Sequence, residues 1–171
     1  MSADLAASAA DGALYLLRQP MALAVLTSVL LVARDVPRRD AAPALAWFAS
    51  AATCSLALEP EAWHPAFVAA WLAALGGICA ADLRPRLWGR QAACGISGLA
   101  LGLSGGLPTA SGGEAIGTIL LACLLLVVAH TGWQLASARG PGTPAWQVAP
   151  RVLAAWLAAM GLLMLALALR G

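Results

Sequence analysis

The chain has 171 residues, 61% of them hydrophobic and only 11% charged, with a formal net charge of +2. Water-soluble domains carry about 45–50% apolar and about 25% charged residues, so the composition excludes a soluble fold and makes lipid the better solvent. All ten basic residues are arginine, and so small a net charge gives no electrostatic footprint for nucleic acid.

The mean hydropathy is +0.82, and no long polar stretch interrupts the chain. It reads as a single all-α membrane domain over 1–171, a polytopic transmembrane helical bundle. A spanning helix needs about 20 mostly apolar residues, and six segments approach that length: 12–33, 42–58, 63–81, 91–107, 115–136 and 152–169. Residues 1–11 are small, with two acids and no basic flank of a signal peptide. The first apolar run is therefore expected to remain as a helix, with Arg18 and Pro20 weakening its start.

The connectors alternate in charge. Arg34, Arg38 and Arg39 follow the first segment, and Glu59, Glu61 and His64 follow the second without an arginine. Arg84, Arg86 and Arg90 follow the third, residues 104–114 contain none, and Arg139 and Arg151 flank the last connector. Eight of the ten arginines thus fall on alternate loops. The positive-inside rule makes those loops cytoplasmic. An even number of spans follows, six, with both termini outside. Trp47, Trp63, Trp88, Trp133 and Trp146 lie near segment ends, as an interfacial belt requires. Small residues four apart, Gly98 with Gly102 and Ala154 with Ala158, predict close helix contacts.

Candidate chemistry is sparse. Ionisable groups near a bilayer are functional candidates, and Asp35 and Asp82 end the first and third segments on one face. Two carboxylates sharing a proton could activate water. The simpler alternative pairs each acid with a neighbouring arginine. His130 falls inside the fifth segment and could relay protons or bind a ligand, or hydrogen-bond between helices. Glu114 sits at the start of that segment, where an acid suits the helix N-terminus. His64 beside Glu61 offers too few ligands for a metal. Cys54, Cys79, Cys94 and Cys123 stand alone in apolar runs and read as small buried side chains. No cofactor is expected.

The stretch Leu75-Gly-Gly-Ile-Cys-Ala-Ala-Asp82-Leu-Arg-Pro-Arg, with Gly95-Ile-Ser-Gly-Leu-Ala-Leu-Gly-Leu-Ser104 and Glu114-Ala-Ile-Gly117, resembles the membrane domain of type IV prepilin peptidases. These are aspartic endopeptidases of pilus and type II secretion systems. The resemblance covers roughly 42–142 and matches Asp82 to the first catalytic aspartate. It implies a bacterial inner-membrane protein with pilus or secretion proteins as partners. The departures are specific. The family's second aspartate lies in a Gly-x-Gly-Asp motif, and this zone reads Gly140-Pro-Gly-Thr-Pro-Ala-Trp-Gln147, without an acid. Its zinc-binding cysteine cluster is absent, and Trp88-Gly89-Arg90 replaces the usual sequence after the first motif. Asp35 could supply a second acid only by reversing the family's order. The resemblance therefore implies a catalytically inactive relative. A structural or assembly subunit of a membrane complex and a small transporter using His130 are the alternatives.

Overall fold

The computed structural model describes residues 2–34, 36–58, 63–83, 85–104, 111–138 and 144–170. Among them there are helices and no strand: α1 (Ser2–Arg18), α2 (Pro20–Ala33), α3 (Arg38–Cys54), α4 (His64–Ala80), α5 (Leu87–Ser104), α6 (Gly112–Ala138) and α7 (Pro144–Ala168). A single 3-10 turn, Ser55–Ala57, extends α3. Two stretches, Gly112–Ser137 and Val148–Ala168, are long and apolar enough to cross a membrane, and α1 with α2 would make a third if counted as one broken span. The helix α4 is apolar but shorter.

The expected first segment, 12–33, is corrected. It is two helices bent by 79°, and the first already starts at Ser2. The cause is local. Pro20 has no N–H and opens α2. A residue before proline is pushed out of the α region, and Gln19 is extended at φ −95° and ψ 102°. The small residues Ser8 and Ala9 then find a use, because they let α1 pack closely along α6.

Three close helix pairs surround α2. A Cβ at Gly76 of α4 would lie 2.5 Å from the Ala158 backbone nitrogen, and one at Gly161 of α7 would lie 2.5 Å from that of Ala73. The two helices run antiparallel, with Ala69, Ala73 and Gly76 against Gly161, Ala158 and Ala154. In the second pair Gly98 and Gly102 of α5 lie against the Phe48 carbonyl and Ser55 of α3. In the third, Gly117 of α6 lies on the Ala9 carbonyl of α1. The small residues singled out in the sequence, Gly98, Gly102, Ala154 and Ala158, are thus at contacts. Lipid offers no hydrophobic drive for helix association, so backbone approach over small residues provides it. The Trp71 indole adds a hydrogen bond between α4 and α5, donating to the buried Ser97 hydroxyl at 2.9 Å.

Central α2 buries Ala22, Val25, Leu26 and Val29 in the main core, together with Phe48, Leu72 and Leu101. The opposite is true of α6 and α7. Leu120, Leu124 and Val128 on one, and Val152, Trp156, Leu162 and Leu163 on the other, are exposed. Large apolar side chains pointing away from the bundle are what a lipid-facing surface requires.

Candidate functional site

Asp82 sits at the end of α4 in a conformation an aspartate rarely takes. Its φ is 52°, a left-handed value otherwise absent from non-glycine residues among those described. The local bonds explain it: the Asp82 N–H donates to the Cys79 carbonyl at 3.1 Å and the Leu83 N–H to that of Ile78 at 3.0 Å. This is a Schellman ending, whose left-handed position is ordinarily glycine. An L-residue with a Cβ costs roughly 1–2 kcal/mol there. A negative charge at a helix C-terminus is also opposed by the helix dipole.

Two arginines offset both costs. Arg34, just past α2, donates to Asp82 Oδ1 at 2.8 Å. Arg151, from α7, donates to Oδ2 at 2.7 Å. The carboxylate therefore joins the ends of three helices. Arg34 is the more sheltered partner, with 16% of its side chain exposed against 55% for Arg151. Its backbone is held as well: the Gln134 amide of α6 donates to the Arg34 and Val36 carbonyls at 3.3 and 3.2 Å. Arg90 folds back, its Nε donating to the Pro85 carbonyl at 3.0 Å.

These partners lie 48 and 69 residues from Asp82 in sequence, and local spacing does not point to them. The neighbouring-arginine alternative has the right chemistry; among the described residues Asp82 is paired with Arg34 and Arg151, and the adjacent Arg84 lies outside them. The available signal was the clustering of arginines on alternate connectors, which brings Arg34, Asp82 and Arg151 to one end of the bundle.

Asp35 lies outside the described residues, so the carboxylate pair expected with Asp82 does too. Glu114 is at the other end. It forms a reciprocal cap with Ser111, whose N–H donates to Glu114 Oε2 at 2.8 Å while Ser111 Oγ accepts from the Glu114 N–H at 3.3 Å. Twenty residues of continuous α6 separate Glu114 from Gln134, about 30 Å at 1.5 Å per residue. That is the thickness of a bilayer hydrocarbon core.

His130 lies one turn before Gln134 on α6, and its Nε2 is buried. It lines a cavity of about 290 Å³ between α2, α3 and α6. The other lining residues are aliphatic, Phe48 or Cys94. Among the described residues this wall holds no second charged or hydroxyl side chain to pass a proton or an ion along. His64 opens α4, buried and stacked edge-on with Trp63 at 4.5 Å between ring centroids. Among the described residues no three His, Cys, Asp or Glu side chains are grouped to hold a metal.

No protein-family model, curated protein or solved structure matches the chain. The chemistry of the site follows from its own geometry. Both oxygens of Asp82 accept from guanidinium groups, which have only donors to give. An aspartic dyad instead needs one carboxyl sharing a proton with another and turned to water. The arrangement ties α2, α4 and α7 together at one end.

Proposed function

We propose that this chain is a six-span integral membrane protein that works as a structural or assembly component and does not cleave peptides. The observation that carries the reading is the double arginine clamp on Asp82. If the resemblance to prepilin peptidases reflects common descent, the residue matching the first catalytic aspartate has become a helix tie. The missing second aspartate in 140–147 agrees with that. The bacterial inner membrane, and pilus or secretion proteins as partners, follow from the same resemblance.

The ends of the helices support six crossings. Asp82, Arg34, Arg151 and Gln134 share one end, and Ser111, with its hydroxyl 3.0 Å from that of Ser8, belongs to the other. On this reading α2 to α7 cross in turn, and the arginine-rich end faces the cytoplasm. The helix α1, turned 79° from α2, then lies toward the outer face.

The test mixes the purified chain with a prepilin substrate in detergent and follows leader removal. No cleavage is expected from the wild type, and Asp82→Ala is expected to lower thermal stability. Cleavage that disappears in Asp82→Ala would overturn the non-catalytic reading. Labelling of single cysteines placed in the connectors tests the crossings: the exposed positions 37 and 86 are expected to react from one side and position 111 from the other.

A further inference from the structure

The cavity beside His130 belongs to no helix pair of the bundle. It opens where α3 and α6 barely touch, and Val127 and Ala42 on its walls are exposed to the outside. The buried Phe48, Val29 and Cys94 line its inner wall. Around a chain with these exposed leucines and valines the surrounding medium is hydrocarbon. A laterally open, apolar cavity at that depth is filled by hydrocarbon and not by water. A held water needs about two to four polar partners, and His130 by itself does not supply them.

Its mouth is different in chemistry. The cavity reaches Ala33, Val36, Ala41 and Ala42, at the end where Gln134 meets the Arg34 carbonyl. The helix α3 starts with Arg38 and Arg39, one turn before Ala41 and Ala42 in the wall. Arg39 is 85% exposed and forms a loose ion pair with Asp40 at 3.6 Å, which a phosphate can replace at so exposed a position. Among the described residues of the connectors and helix ends on this face, Arg34, Arg39, Arg86, Arg90 and Arg151 stand against Asp40 and Asp82. The face carries a cationic excess beside an apolar slot.

We infer that this slot is a binding site for an anionic glycerophospholipid. One acyl chain enters between α3 and α6, and the phosphate headgroup lies over the start of α3, at Arg39. Basic sites between helices at an arginine-rich membrane face recognise such headgroups. The volume of about 290 Å³ accommodates part of one chain and not a whole lipid, which leaves the headgroup at the rim. His130 lies one turn inward of Gln134 on α6. The inference rests on the membrane reading above.

The experiment titrates the purified full chain in neutral detergent with phosphatidylglycerol or phosphatidylcholine of identical acyl chains, with bound lipid read by native mass spectrometry. One phosphatidylglycerol is expected to bind in preference, by about fivefold for an engaged arginine. Arg39→Gln is expected to reduce the preference to near unity. Ala42→Phe, on an exposed wall position, is expected to abolish the bound lipid. Equal binding of the two lipids by the wild type overturns the inference without any variant. So does a preference that survives Ala42→Phe, which would mean headgroup attraction alone. A lipid-free dimer would give the slot to a second copy and overturn it as well. A parallel alkaline wash of membranes separates the two claims. Release of the chain would sink the membrane reading, whereas retention without lipid preference sinks only the lipid site.

Discussion

Asp82 and Arg34, 48 residues apart, meet at 2.8 Å where α4 and α2 end, and the aspartate reaches that contact from a left-handed backbone position. A residue that bears both a backbone cost and an unfavourable helix-end charge is held by its partners. The substitution series at 82 separates the terms. Asp82→Ala loses both arginines and keeps a Cβ in the left-handed region. Asp82→Gly loses the arginines but relieves the backbone by roughly 1 kcal/mol. The glycine variant is therefore expected to unfold at a higher temperature than the alanine variant, and both below the wild type. Equal midpoints for the two variants would contradict the backbone account.

The two arginines should not contribute equally. Arg34→Gln breaks the sheltered arm and is expected to cost about 1.5–3 kcal/mol, the range for hydrogen bonds to charged groups. Arg151→Gln breaks an arm that is more than half exposed, and its loss should stay within about 1 kcal/mol. Denaturant titration in detergent micelles measures both. High salt should weaken the Arg151 arm first, since exposed pairs are screened most.

Adjacent glycines on α4 should behave oppositely. A methyl at Gly76 would meet the backbone of α7 at Ala158, whereas nothing lies within 4 Å of one at Gly77. Gly76→Ala is expected to separate α4 from α7 and to destabilise by several times the thermal energy, within the roughly 1–3 kcal/mol usual for overpacking. Gly77→Ala is expected to be neutral or to stabilise by about 0.5–1 kcal/mol through lower backbone entropy in the unfolded chain. Thermal midpoints of the two single variants decide the point.

The Trp71–Ser97 bond gives a small and separable contribution. Ser97→Ala removes the acceptor of the indole N–H. Hydrogen bonds between membrane helices average about 0.6 kcal/mol, so a double-mutant cycle with Trp71→Phe should return a coupling near that value. A coupling indistinguishable from zero would mean that packing alone holds α4 to α5.

The helical, lipid-facing character was legible in the residues alone. Apolar runs of that length leave the backbone only one way to satisfy its own polar groups in lipid, and that is a helix. The small residues that permit close approach, Gly98, Gly102, Ala154 and Ala158, were legible too, because backbone proximity is a property of side-chain size. Helix ends were less so. The break at Gln19 was signalled by Pro20, but its 79° angle was not, since the packing of α1 on α6 sets the direction. The role of Asp82 belongs to tertiary structure. Its partners come from residues 34 and 151, and a carboxylate reads the same in sequence whether it faces water, a second acid or two guanidinium groups. Only the folded arrangement of α2, α4 and α7 brings both arginines onto its two oxygens, and only the gap between α3 and α6 shows an apolar slot beside the arginines that open α3.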